Sequence, residues 1–74
     1  MNDQEKLRVL IPHWIEHNAE HAAEFRRWAG RAGVASPEIQ AAAEAILRAN
    51  AELAEALDKL GGPAEHPARD VATV

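Results

Sequence analysis

Two glycine–proline breaks decide what this chain can fold into. The first is Gly30-Arg31-Ala32-Gly33-Val34-Ala35-Ser36-Pro37 and the second is Gly61-Gly62-Pro63. Elsewhere up to Leu60 the residues favour helix: alanine fills 17 of the 74 positions, mixed with Glu, Leu and Arg, all strong helix formers. Ser36 suits an N-cap, Pro37 the first helical position, and Glu38 the positive end of the helix dipole. A second helix is therefore expected from about Pro37 to about Leu60, with Gly61 or Gly62 taking a left-handed cap. A first helix is expected over about residues 3–32. Pro12 lies inside it, and proline removes a backbone hydrogen bond and disfavours helical geometry at Ile11. The series Leu7, Ile11, Trp14, Asn18, His21, Phe25, Trp28 and Ala32 nevertheless keeps its phase across Pro12, which argues for one continuous helix kinked there. Past the second break periodicity stops, so residues 1–62 are expected to be the hairpin domain and residues 63–74 a flexible C-terminal tail.

The fold class is thus all-α, an antiparallel helical hairpin. Helix 2 carries a heptad seam of its own: Ile39, Ala43, Ile46, Asn50, Leu53, Leu57 and Leu60. Ala42, Ala49 and Ala56 form a row beside it, and Leu47 and Ala54 widen the other flank. A face this wide, on a chain too short to bury much of its own surface, is most economically covered by a second copy. The expected assembly is a homodimeric four-helix bundle. The turn also sets a register, with Asn18 facing Asn50, Phe25 meeting Ala43, and Trp14 near Leu53 and Ala54. Asparagines paired inside a seam fix register at some cost in stability. His21 is expected one turn from this layer, on the same face.

Bulk chemistry excludes several functions. The formal charge of -4 argues against a nucleic-acid partner, which calls for a basic face. The basic cluster Arg26, Arg27 and Arg31 falls in the last turns of helix 1, where cations complement the helix dipole. With no cysteine, disulfides and thiolate metal sites are ruled out. No apolar run approaches the roughly 20 residues that span a bilayer. The start Met1-Asn2-Asp3-Gln4-Glu5 is polar and acidic, unlike a signal peptide. A cytoplasmic protein without a membrane partner is expected. The sequence also offers no serine or cysteine nucleophile arrangement, glycine-rich phosphate loop or EF-hand.

The residues with chemical potential are His13, His17 and His21, which step slowly around helix 1 at about 100° per residue. Glu20 and Glu24 fall on the same side. Histidines four apart on a helix can chelate one divalent ion. One ion cannot take all three, because His13 and His21 stand about 12 Å apart along the axis. The feasible pairs are His17 with His21, favoured here, and His13 with His17, completed by Glu20, Glu24 or a second chain. Helix 2 contributes only Asn50 to its seam, so helix 1 of a partner is expected to complete the site. Asn18, Asn50 and Trp14 are expected to surround it, the amides orienting a histidine by hydrogen bonds. Nitrogen and oxygen donors without sulfur suit Zn, Ni, Co, Cu(II), Fe or Mn. A haem held by His21 from two copies fits such a bundle geometrically but ranks below the ion. The competing reading is a metal-free dimerisation or protein-interaction module, with the Asn/His layer setting register. His13-Trp14-Ile15-Glu16-His17 and His17-Asn18-Ala19-Glu20-His21 match the His-x-x-Glu-His pattern of inverted zinc peptidases. Neither has a third-ligand region downstream, and the chain is too small for a substrate cleft. An accessory for handling or sensing metal is expected, rather than a catalyst.

The segment Leu10–Phe25, with its core Pro12-His13-Trp14-x-x-His17-Asn18-x-x-His21, resembles a signature of short uncharacterised bacterial and archaeal helical domains. That resemblance covers about the first 30 residues and implies a helical fold without assigning an activity. The segment is also loosely similar to the histidine–carboxylate helices of hemerythrin-like and ferritin-like bundles. Those carry ligands on several helices. Helix 2 here has no inward His or Glu, which departs from a di-iron pattern.

Overall fold

The computed structural model describes residues 2–64 as two antiparallel helices, α1 (Asp3–Ala29) and α2 (Ser36–Lys59), joined by a short 3-10 turn (Gly33–Ala35). The hairpin class expected from the sequence is what forms. Pro63 and Ala64 are hydrogen-bonded to Arg8 of α1. The rest of the expected tail lies outside the described residues.

Helix α1 starts on a capping box that the sequence reading overlooked. The Asn2 side chain accepts from the Glu5 N–H at 2.8 Å, and the Asn2 N–H donates to the Glu5 carboxylate at 3.1 Å. Two donors of the first turn are satisfied reciprocally. At the far end, the N–H groups of Arg31 and Ala32 donate to Trp28 and Ala29 carbonyls. These tight i to i−3 bonds end the helix at Ala29, three residues before the Ala32 expected from the seam.

Ser36 does not act as the N-cap of α2. The cap position is Ala35, no side chain caps the helix, and the Ser36 N–H donates to the Gly33 carbonyl. The 3-10 turn runs straight into α2 and leaves Ser36 already helical. Pro37 in the first turn removes one donor that would otherwise go unpaired. The C-terminal end follows expectation. Gly62 N–H reaches the Leu57 carbonyl at 2.9 Å and Gly61 N–H the Asp58 carbonyl at 3.0 Å, the double closure of a Schellman motif. Gly61 at φ +104° supplies the left-handed geometry.

Helix α1 is continuous through Pro12, and the cost of that proline is turned to use. Proline has no N–H to give to the carbonyl four residues back, which belongs to Arg8. That carbonyl instead accepts from Ala64 N–H at 3.2 Å. The Arg8 guanidinium completes a clasp, donating to the carbonyls of Gly62 (2.7 Å), Gly61 (3.4 Å) and Pro63 (3.5 Å). A cation at the C-terminus of α2 also meets the negative end of its dipole.

The core lies along one line between the helices, formed by Ile11, Ala22 and Ala29 from α1 and Ala43 and Leu57 from α2. The α2 seam agrees with its heptad: Ile39, Ile46, Asn50, Leu53 and Leu60 are half-buried around the two buried members. The α1 seam is rotated from expectation. Ile15, Ala22 and Ala29 occupy the inner line in place of Trp14, His21 and Trp28, and Trp14 and Trp28 remain 41% and 53% exposed. Ala22 and Ala29 sit opposite Ile46 and Ile39, and Ala43 opposite Phe25, so small side chains of one helix receive larger ones of the other, and an indole in that line would force the helices apart.

Candidate functional site

Two adjacent features of α1 hold its polar and histidine chemistry, and they point in different directions. The first is the asparagine layer between the helices. Asn18 Nδ2 donates to Asn50 Oδ1 at 3.0 Å, and Asn50 Nδ2 donates to the Ile15 carbonyl at 3.0 Å. The pair faces across the hairpin as the turn register requires. Both residues are half-buried, so each bond replaces water contacts that the packing has removed. These bonds tie the asparagines to each other and to backbone, rather than to an imidazole.

The second feature is the histidine stripe on the outside of α1. His21 is exposed, as is His17, while His13 is half-buried. The expectation that His21 enters the inter-helix seam is therefore corrected, for the reason given above: Ala22 takes that place. Within the chain the imidazoles brought into contact are His13 and His17, whose ring centroids lie 5.1 Å apart with perpendicular planes. Two imidazoles on one tetrahedral ion, at about 2.0–2.1 Å per nitrogen, place their centroids about 5 Å apart. The spacing of two histidines four residues apart is thus of the size a metal needs.

The carboxylates add little within one chain. Glu20 and Glu24 are exposed, and Glu24 lies 3.5 Å from Arg27 in an i,i+3 ion pair. Among the described residues no group of three or more His, Asp or Glu side chains is placed to hold an ion. Trp14 stands on the same side as the histidines rather than in the core. Trp28 continues that line, with the Arg31 guanidinium over its ring at 5.8 Å, a cation–π contact.

Helical phase shows what these exposed residues have in common. Stepping about 100° per residue, Leu10, Trp14, His17, His21 and Trp28 share one stripe of α1, roughly a quarter turn from the buried line. Ala42, Ala49 and Ala56 make the matching stripe on α2, displaced toward the same broad face of the hairpin, and all three are exposed. The opposite face mixes Glu16, Ala19, Ala23 and Arg26 from α1 with Glu44, Leu47 and Ala54 from α2. The hairpin is two-sided: one broad face gathers the indoles, Leu10, the alanine row and two imidazoles, and the other exposes no large apolar side chain from either helix. This face was half-legible in the sequence: its alanine row was visible, whereas Trp14 and Trp28 had been assigned to the inner seam.

No described helix is long and apolar enough to cross a membrane. No curated protein and no solved structure matches the chain. A family model does match, over residues 7–60, which takes in both helices, the turn between them and the histidine stripe. The chain belongs to the family described as "Domain of unknown function (DUF8180)".

Proposed function

We propose that this protein is a self-associating helical module, in which two hairpins stack their apolar broad faces to make a four-helix bundle. The observation that carries the reading is the line of Leu10, Trp14 and Trp28, which remain 40%, 41% and 53% exposed in a single chain. A single hairpin is one helix layer, with extents of 47 × 25 × 14 Å, and domains ordinarily bury apolar faces between two layers. A face of that length and width accommodates the about 800 Å² per partner that a stable interface buries.

The occupant that fits is a second copy turned end for end. The α1 stripe is centred near Ala19 and the α2 stripe on Ala49. The Asn18–Asn50 bond sets these two positions opposite each other, so one two-fold axis lying in the face passes through both centres. It places Leu10 against the partner's Trp28 and Ala42 against the partner's Ala56, which is the self-complementarity a two-fold interface needs. In this pairing the two α1 helices run antiparallel, so their dipoles oppose favourably.

Sedimentation equilibrium of the full chain tests the reading. The expected result is a dimer, with Trp14→Ala combined with Trp28→Ala shifting it to monomer while helix content is kept. A wild-type chain that stays monomeric at high micromolar concentration overturns it.

A further inference from the structure

We infer that the two-fold axis of this dimer passes through a transition-metal site made of four imidazoles, His17 and His21 from each copy. The inference rests on the self-association proposed above and adds chemistry to it. In the end-for-end pairing about Ala19, His17 comes opposite the partner's His21, and His21 opposite the partner's His17. All four therefore fall within one helical turn of the axis. In phase, His17 and His21 lie to either side of the outward normal of the broad face, about 40° apart. His13 falls further round, toward the rim.

The ligand count follows from this placement. One chain offers pairs of histidines four apart, and the His13–His17 rings show that this spacing puts imidazoles within 5.1 Å of each other. A single pair leaves an ion half solvated. Two pairs on facing helices, held apart by the indoles between them, supply four nitrogens, a full tetrahedral set for a divalent first-row ion such as Zn(II) or Co(II). Exposure of His17 and His21 in the single chain leaves both free to turn toward the axis without disturbing the core. Leu10, Trp14 and Trp28 flank the histidines along the stripe and close the site from water at either end. Glu20, exposed and three residues after His17, brings negative charge to the rim to offset the ion.

The experiment loads untagged full-length protein with Co(II) and separately with Zn(II), and follows stoichiometry by elemental analysis, geometry by the Co(II) visible spectrum, and assembly by sedimentation. The expected result is one ion per two chains with a tetrahedral Co(II) spectrum. His17→Ala and His21→Ala should each weaken binding at least 100-fold while remaining dimeric, and His13→Ala should bind as wild type. A dimer that takes up no ion overturns the inference and leaves self-association standing. A monomer without metal overturns both. One ion per chain, lost in His13→Ala, overturns the shared site in favour of the His13–His17 pair.

Discussion

Asn18 and Asn50 are the only amides on their seams, and their direct hydrogen bond shows why polar residues are kept in so thin a core. A slip of α2 along α1 would leave both amides against alkyl side chains, with their water contacts gone and nothing gained. The expected consequence of Asn18→Ala or Asn50→Ala is a loss of about 1 kcal/mol each. A double-mutant cycle by urea unfolding should show that the two losses do not add, with a coupling of about 0.5–1.5 kcal/mol. Full additivity would mean that the bond contributes nothing to stability. This pair was legible in the sequence because each helix offers one seam asparagine and the short turn leaves little freedom of register. The place of His21 was not legible. His21 and Ala22 head equally regular heptad series one residue apart, and hydrophobicity favours the series containing two tryptophans. Close backbone approach favours the one containing alanines, and it prevails.

Among the elements, α1 departs furthest from what local rules suggest. An interior proline costs about 3 kcal/mol relative to alanine in a free helix, yet α1 runs through Pro12 unbroken. Part of that cost is recovered when the freed Arg8 carbonyl accepts from Ala64 and the Arg8 side chain binds the carbonyls after α2. Pro12→Ala restores a competing intrahelical donor at this carbonyl. Amide hydrogen exchange at Ala64 is then expected to accelerate several-fold while α1 itself gains protection. Arg8→Ala should speed exchange throughout Gly61–Ala64 and lower stability by about 1 kcal/mol. Unchanged exchange at Ala64 in both variants would show that the clasp does not hold in solution. Both ends of α2 were readable to within a residue from Pro37 and Gly61-Gly62-Pro63. The clasp was not, because Pro12 on its own predicts what α1 loses and says nothing of who receives the freed acceptor.

For the whole molecule, the decisive property is that its two broad faces differ. One of them exposes no large apolar side chain from either helix. The other assembles Leu10, Trp14, Trp28 and the row Ala42, Ala49 and Ala56, and the proposed dimer through it would give Ala49 a distinct role. Ala49 is exposed in the hairpin and, in the proposed dimer, would meet its own copy at the two-fold axis. Ala49→Glu should therefore leave the melting of the hairpin nearly unchanged while placing two like charges in contact. A rise in the dimer dissociation constant of at least tenfold is expected by sedimentation. An unaffected dimer would show that assembly uses some other face.

The bonds between Arg8 and the residues after α2 also change the topology through which the hairpin unfolds. The covalent turn joins the helices at one end, and the Arg8 contacts with Gly61–Ala64 join them at the other, so the paired stretch of the two helices is tied at both ends. A hairpin open at its far end frays residue by residue, because each lost pair releases the next. Here release of the far end must break several hydrogen bonds together before any inter-helix pair is given up. The entropy needed to close so long a loop grows only slowly with its length, and helix packing has already brought the two ends into register. A small chain with a thin alanine core thereby gains an opening transition closer to all-or-none, which is the behaviour a rigid face needs if it is to meet a copy of itself.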